Sequence, residues 1–152
     1  MILSVTPFLW FDDNAEAAVD RYCQVFDDTE VRSLNRHPDG SLFIAEIAIH
    51  GQPITLMNAG PMHKLTDAFS LAVSVETQEE IDRLSAGLTE GGGSLTMCGW
   101  LVDAFGLSWQ IVPTALMRLM SDPDPVKANR VREAMLQMQK LDIAGLQAAY
   151  DG

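Results

Sequence analysis

The predicted order of secondary structure occurs twice along this chain. Residues 3–62 predict a strand, a helix and three further strands, and residues 67–113 predict the same order. Strands are expected in the first copy at residues 5–11, 31–36, 41–49 and 54–58 and in the second at 69–75, 95–98, 99–103 and 108–112. A repeated β-α-β-β-β module predicts an α+β fold, with two similar modules in one domain over residues 1–152.

Capping residues predict where the helix of each module begins. Asp13 is followed three residues later by Glu16, and Thr77 is followed in the same way by Glu80. This is the spacing of an N-cap and its reciprocal partner, so each pair predicts a capping box. We expect the two helices to end near residues 26 and 88.

The last part of the chain, residues 114–152, changes to a helical pattern. Asp124 before Pro125 predicts one helix start, and Asp142 predicts another. These helices exceed what two modules need, so we expect them to pack on a sheet or on another subunit. Apolar methionines in this region leave a dimer interface open as an alternative to a core: Met117, Met120, Met135 and Met138.

The charge of the chain limits its partners. Its formal net charge is −11 and its pI is near 4.4, and it has no basic run interleaved with aromatic residues. We therefore expect neither nucleic acid nor an anionic membrane surface as a partner. No apolar stretch is long enough to span a bilayer, and the start has no features of a signal peptide, so we expect a cytoplasmic protein.

The two cysteines, Cys23 and Cys98, lie far apart within apolar patterns. This spacing does not suggest a disulfide framework. We expect both side chains to be small buried groups, with a reactive role as the alternative.

Several stretches resemble one known family. They are Thr-Pro-Phe-Leu-Trp-Phe at 6–11, Asn-Ala-Glu-Ala-Ala at 14–18, Cys-Gly-Trp-Leu-Val-Asp at 98–103, Phe-Gly-Leu-Ser-Trp-Gln-Ile-Val-Pro at 105–113 and the tail at 121–125. The chain resembles the vicinal oxygen chelate superfamily, which includes glyoxalase I, extradiol dioxygenases and bleomycin-binding resistance proteins. It is most similar to the PhnB-like branch, whose family is also labelled 3-demethylubiquinone-9 3-methyltransferase. The resemblance implies paired modules, a site between the sheets and a homodimer.

The resemblance also implies where a metal would bind. In metal-dependent members, His and Glu side chains on the first and fourth strand of each module hold a divalent cation. The corresponding residues here are Thr6 (or Pro7 if the register shifts by one residue), Thr55, Ser70 and Gln110. Hydroxyl and amide groups bind first-row metals poorly compared with imidazole and carboxylate. We therefore predict no metal ligands and no cofactor, with a divalent ion as the less favoured alternative.

Strand alternation predicts which side chains face a ligand. Alternate residues of a strand lie on opposite faces of its sheet. One face of each sheet is predicted to collect apolar, aromatic and hydroxyl side chains suited to a small-molecule pocket, and its alternative is a filled core. The candidate ligand-binding residues are Thr6, Phe8, Trp10, Thr55, Met57, Ser70, Ser74, Trp100 and Gln110.

The methyltransferase label implies a glycine-rich turn between a strand and a helix. The glycine cluster of this chain, Gly91-Gly92-Gly93, instead follows a predicted helix, where glycine is an ordinary C-cap. The residues therefore favour methyltransferase activity less than ligand binding.

Three functions remain open on the sequence alone. The first is a metal-independent protein that binds a small molecule, with aromatic ligands among the candidates. The second is a lyase-, isomerase- or dioxygenase-like enzyme that uses Glu46, His63, Asp103 or Cys98, of which Glu46 and Asp103 are the catalytic candidates. The alternative for Glu46 is a position on a solvated strand face, and the alternative for Asp103 is a cap of the backbone N–H groups of a turn. The third function is a dimerisation module.

Overall fold

The computed structural model describes all 152 residues, which divide into two units, residues 1–66 and 67–152. The first unit contains one helix and four strands: β1 (Phe8–Phe11), α1 (Ala15–Val25), β2 (Thr29–Arg36), β3 (Leu42–Ile49) and β4 (Gln52–Asn58). The second begins with the same order: β5 (Ser70–Val75), α2 (Gln78–Thr89), β6 (Ser94–Leu95), β7 (Trp100–Val102) and β8 (Ser108–Pro113). The predicted α+β fold with a repeated module is confirmed.

The two sheets have the same topology. The strand order is β1-β4-β3-β2 in the first unit and β5-β8-β7-β6 in the second. In each sheet the first strand pairs in parallel with the fourth, and the remaining pairs are antiparallel. The two modules are thus equivalent in strand order and pairing as well as in the order of their elements.

Three predicted strands are clearly shorter than expected: those predicted at 5–11, 95–98 and 99–103 are Phe8–Phe11, Ser94–Leu95 and Trp100–Val102. The first strand begins at Phe8, so residues 5–7 lie outside it. Pro7 has no backbone N–H to donate to a ladder, although its carbonyl still accepts a bond from the N–H of Thr55 at 2.9 Å.

Helix α1 begins differently from the prediction. Its N-cap residue is Asn14 and not Asp13, and the Asn14 side chain makes no capping hydrogen bond. The N–H of Ala15 donates instead to Asn58 Oδ1 at 2.9 Å. Glu16 forms an ion pair with Arg36 of strand β2. The predicted capping box was therefore wrong: Glu16 is paired with Arg36, and the side-chain acceptor at the start of the helix comes from Asn58.

The other predicted caps are confirmed. Thr77 and Glu80 form a reciprocal capping box at α2. Three helices follow strand β8: α3 (Thr114–Met120), α4 (Pro125–Leu136) and α5 (Ile143–Asp151). The Asp124 side chain caps α4 with proline at its first position, and the Asp142 side chain caps α5.

The C-terminal helices build a hydrophobic cluster within the second unit. It consists of Leu116, Leu119, Val131, Leu141 and Leu146. Val112 of strand β8 packs against this cluster, so the extension packs on its own sheet, which was one of the two expectations. Met120, Met135 and Met138 also pack there, whereas Met117 is 64% exposed. Most of the methionines considered for an interface therefore serve a core.

The buried face of each sheet follows the predicted alternation. Leu9, Phe11 and Leu56 are buried in the first unit, as are Trp109 and Ile111 in the second. Helix α1 packs on strands β2, β3 and β4, and α2 packs on β6, β7 and β8. Each sheet therefore has one face under the helix of its own module and an opposite face that carries the candidate residues. In the second unit the C-terminal cluster covers the Val112 end of that opposite face. No helix has both the length and the apolar character needed to cross a membrane.

Candidate functional site

The first sheet brings five of the sequence-derived candidates onto one face. Phe8 lies opposite Thr55, which in turn lies opposite Glu46 on strand β3. Trp10 lies opposite Met57 in the next row. Phe8 is 57% exposed and Trp10 and Met57 are half-buried, so this face presents apolar and aromatic surface outside the core.

Two neighbours hold the Trp10 side chain in place. Its indole Nε1 donates to the carbonyl of Gly60 at 2.8 Å. The His63 ring meets the Trp10 ring edge-on, with ring centroids 4.8 Å apart and an interplanar angle of 85°. Both partners belong to the segment after strand β4, which fixes the orientation of the indole. His63 therefore contacts a candidate binding residue, which is its clearest structural role.

Thr6 lies just before β1 and contributes to a groove in the first unit. The groove has a volume of about 240 Å³ and includes Thr6, Glu46 and Thr55 in its lining, together with Arg32. Three candidates that are distant in sequence thus meet at one place. Glu46 is exposed, which agrees with the alternative that it lies on a solvated strand face.

The second sheet places Ser70, Gln110 and Trp100 close together. Gln110 lies opposite Trp100 on strand β7, and its Nε2 donates to Ser70 Oγ at 2.9 Å. A neutral amide and a hydroxyl are therefore bonded to each other at two of the positions where the resemblance implied metal ligands. Ser74, further along strand β5, is exposed.

Asp103 belongs to the turn between β7 and β8. Its Oδ1 accepts bonds from the N–H groups of Phe105 and Leu107 at 2.9 and 3.0 Å. Its Oδ2 accepts the indole N–H of Trp109 at 2.9 Å, and the residue is only 2% exposed. The alternative of a turn cap is confirmed for Asp103, since both carboxylate oxygens serve the fold.

A second groove lies along strand β7 and was not predicted as a unit. We call it the β7 groove; its volume is about 410 Å³, and its lining residues are Asp67, Thr96, Met97, Cys98, Trp100, Val102 and Ser108. Of these, only Trp100 was among the ligand-binding candidates. Ser108 shares the parity of Gln110, so strand alternation alone could have identified it.

Ser108 is the unusual member of the β7 groove. It is 1% exposed, and its Oγ has no hydrogen-bond partner. On the same strand pair, Ser70 lies opposite Ser108 but is bonded to Gln110. Leaving a buried hydroxyl unpaired costs about 1–3 kcal/mol, so the unpaired Oγ of Ser108 calls for an explanation.

The two cysteines are not the buried groups that the sequence suggested. Both are free thiols, as expected, but Cys23 is exposed on helix α1 and Cys98 is half-buried. Partial burial, followed by the nearby carboxylate of Asp20, raises the pKa of the Cys23 thiol. The apolar pattern was misleading because Cys23 falls on the solvent side of an amphipathic helix.

The residues present do not fit a first-row metal. No group of three His, Cys, Asp or Glu side chains is arranged to hold an ion. His37 and His50 lie at turns, and the His50 ring is 3.8 Å from the Asp28 carboxylate in another part of the first unit. The hydroxyl and amide groups at the implied positions are weak donors for such metals.

One family model matches most of the chain. It is described as 3-demethylubiquinone-9 3-methyltransferase and covers residues 3–112. No curated protein matches the chain.

Solved structures are similar to the chain as well. The PhnB protein from Bacillus cereus is 31% identical, with a TM-score of 0.67 over 74% of this chain and 100% of that one. A glyoxylase/bleomycin resistance protein/dioxygenase domain from Frankia is 16% identical, with a TM-score of 0.51 over 74% and 93% of the two chains. The fosfomycin resistance protein FosX from Listeria monocytogenes, complexed with Mn(II) and sulfate, is 18% identical, with a TM-score of 0.51 over 73% and 92%. The last two likenesses concern the fold alone.

Proposed function

The chain belongs to the 3-demethylubiquinone-9 3-methyltransferase family, the PhnB-like branch of the vicinal oxygen chelate proteins. From this membership and from the residues of the sheet faces, we propose that it binds a small molecule without a tightly bound metal ion. The ligand contacts a sheet face that carries aromatic candidates. Aromatic or planar ligands suit these faces best, because stacking on Trp and Phe rings provides large contact area at small entropic cost.

The observation that carries this proposal is the hydrogen bond between Gln110 and Ser70. At 2.9 Å the amide and the hydroxyl satisfy each other, and neither group carries a charge that could attract a cation. Thr55 in the first unit is equally neutral. Metal-dependent chemistry would require stronger donors at these positions. Neutral polar groups among apolar side chains instead serve to orient an organic ligand.

The aromatic side chains of the first unit supply contact area. Phe8 is exposed beside Thr55, and Trp10 is already fixed by Gly60 and His63. A ring held in place before binding loses little conformational freedom when a ligand stacks on it. The combination of one exposed and one fixed aromatic side chain supports binding of a flat molecule.

The family label does not by itself make this chain a methyltransferase. The glycine cluster at Gly91–Gly93 follows helix α2, which ends at Thr89. It therefore lies after a helix, whereas a cofactor-binding glycine turn lies between a strand and a helix. Family membership and the residues of the sheet faces support ligand binding, and neither supports the activity that the label names.

The alternative is a metal-dependent lyase-, isomerase- or dioxygenase-like enzyme. Glu46 is the residue that favours it, because this carboxylate lies opposite Thr55 and shares a groove with Thr6. Elemental analysis of protein purified without chelator tests this alternative directly. Near-stoichiometric Fe, Zn, Ni or Mn would contradict the metal-free proposal.

Tryptophan fluorescence offers the main test, because two of the three tryptophans lie on candidate faces and the third lies on a face covered by a helix. Trp10 and Trp100 lie on the candidate faces, whereas Trp109 is buried on the opposite face. We expect saturable quenching by members of a panel of aromatic metabolites and antibiotics. The quenching should disappear in the double variant Trp10→Phe, Trp100→Phe, in which Trp109 remains.

The same variants define what would contradict the proposal. Quenching that persists in full with Trp109 alone would place the ligand away from the proposed faces. A panel that yields no saturable change in the wild-type protein would also contradict it.

A homodimer is part of the proposal, following the resemblance. Met120, Met135 and Met138 pack against the core of the second unit, so of the four methionines considered only the exposed Met117 remains for a contact surface. Light scattering should give twice the chain mass of 16.7 kDa. A particle of single-chain mass at micromolar concentration would contradict the dimer.

A further inference from the structure

We propose that the β7 groove binds a small planar organic cation, which stacks on Trp100, pairs with Asp67 at the rim and bonds to Ser108 at the floor. This inference rests on the proposed function, because it assigns a ligand class to the face of the second sheet. It adds to that function a binding location within the second unit, a positive charge on the ligand, and the three residues that contact the ligand.

The hydroxyl of Ser108 is the first argument. It is buried at the floor of the groove with its Oγ unpaired, beside Val102 on the neighbouring strand. Native proteins rarely leave such a group unsatisfied, and each exception calls for an explanation. A hydroxyl accepts as well as donates, so it can take an N–H from a ligand. Met97, half-exposed and unbranched, is the lining side chain with most freedom to move aside.

The second argument is that the wall of the groove is held in a strained conformation. Cys98 has φ of +58°, in the left-handed region that non-glycine residues seldom adopt. The N–H of Cys98 donates to the backbone carbonyl of Met138 at 2.8 Å, and the N–H of Gly99 donates to the backbone carbonyl of Gln139 at 2.7 Å. The segment between α4 and α5 thus fixes the loop before strand β7. Backbone strain maintained by surrounding structure is concentrated at ligand sites.

The third argument is the charge of the lining. Asp67 provides a carboxylate, and no Lys, Arg or His lines the groove. Lys140, close in sequence to the fixing segment, bonds to Asp82 at 2.7 Å. The local field therefore favours a cation, as does the net charge of −11. An anion would meet a carboxylate with no cation to offset it.

The fourth argument is the chemistry of the walls. The Trp100 ring attracts a cation over its face, and the sulfur atoms of Met97 and Cys98 form favourable contacts with aromatic rings. The volume of about 410 Å³ lies at the lower end of the range for small-molecule sites. A ligand of one or two fused rings with a protonated nitrogen matches these features.

Benzamidine is the probe that tests the proposal, with neutral benzamide and anionic benzoate as matched controls of the same shape. Binding is followed by ¹H–¹⁵N NMR up to about 10 mM, since a fragment of this size binds with a dissociation constant on the order of 1 mM. We expect shifts at the Trp100 indole and at the amides of Met97, Cys98 and Val102. Benzamide and benzoate should bind at least roughly 5-fold more weakly.

Variants separate charge recognition from general binding. Asp67→Asn should weaken benzamidine about 3- to 10-fold and leave benzamide unchanged, because it removes only the charge. Asp27→Asn in the first unit removes the same formal charge and should change nothing. Ser108→Ala should weaken benzamidine about 3-fold without destabilising the fold, because its hydroxyl has no partner to lose.

Four results would each overturn the inference. They are equal affinity for benzamide and benzamidine, no effect of Asp67→Asn, shifts confined to residues outside the groove, and no saturable shift at the highest concentration. If these occur while the wider panel still quenches Trp10 or Trp100, only the cation site fails. If the panel also gives no response, the proposed function fails with it.

Discussion

The indole N–H of Trp109 donates to Oδ2 of Asp103 at 2.9 Å, and both residues are almost completely buried. The same carboxylate caps the turn that leads into strand β8. Asp103 thus connects the turn, the strand and the core beneath α2. A residue whose place in a family motif made it a catalytic candidate is a positioning residue of the sheet.

Replacing Asp103 should destabilise the protein. Asp103→Ala removes the carboxylate that accepts two backbone N–H groups and one indole N–H, and we expect a loss of about 2–4 kcal/mol in the free energy of unfolding. Urea denaturation measures it, and the Trp109 emission should change in parallel. The control Asp67→Ala removes an exposed carboxylate and should cost less than about 0.5 kcal/mol. Equal stabilities would refute this structural role.

Gly99 should tolerate no side chain. Its φ is +84°, and a Cβ would lie 2.8 Å from the carbonyl oxygen of Ile111 and 2.9 Å from Leu141 Cδ1. Gly99→Ala should therefore cost about 2–4 kcal/mol in unfolding free energy. Gly106 is the matched control, because its φ is +93° and a Cβ there would meet only open space. Gly106→Ala should cost only the conformational strain, about 1–2 kcal/mol, and a similar loss at both sites would contradict the packing argument.

Helix α1 should depend on Asn58 and not on its own N-cap residue. Asn58 accepts from the N–H of Ala15 at 2.9 Å and donates to the carbonyl of Leu42 at 3.1 Å. We expect Asn58→Ala to lower the unfolding free energy by about 1–3 kcal/mol. Asn14→Ala should cost little, since the Asn14 side chain makes no capping bond. A larger loss at Asn14 would reverse the assignment.

The contact between the C-terminal helix and the loop before α4 should weaken at both extremes of pH. The Tyr150 hydroxyl donates to Asp122 Oδ2 at 2.7 Å. This bond lowers the pKa of Asp122 and raises the pKa of Tyr150. A lowered carboxyl pKa adds stability that is present above its unfolded value and is lost as pH falls through the folded pKa, below about pH 4. A raised phenol pKa adds stability that is present below its unfolded value and is lost as pH rises through the folded pKa, above about pH 10.

Comparison of the wild type with Tyr150→Phe isolates this bond. The difference in stability between the two proteins should be largest near neutral pH and should shrink in both acid and base. Thermal denaturation across the pH range measures the difference. A difference that does not change with pH would contradict the role of the pair.

Capping was predictable only where its partners are local. The box formed by Thr77 and Glu80 involves residues three apart, and it formed as expected. The equivalent spacing of Asp13 and Glu16 did not form a box, because Arg36 binds Glu16 and Asn58 reaches Ala15. Those competitors are distant in sequence, so no local pattern could reveal them.

The candidate faces were predictable to the extent that alternation determines them. Phe8, Trp10 and Met57 lie on one face, as their parity indicates. Parity could not show that Thr6 and Glu46 share a groove, because their proximity depends on the packing of separate strands. It also could not reveal that the hydroxyl of Ser108 is unpaired.

The sequence by itself determined the repeated module, the alternation of each strand and the neutral chemistry at the four implied ligand positions. These are properties of local periodicity and of side-chain type, which do not depend on what packs nearby. Only the tertiary structure decided that Asn58 caps α1 and that the Asp103 carboxylate accepts hydrogen bonds from its turn and from Trp109. It also decided that Ser108 and Asp67 line one groove. Each of these depends on contacts between distant residues, where geometry selects one partner among several of suitable chemistry.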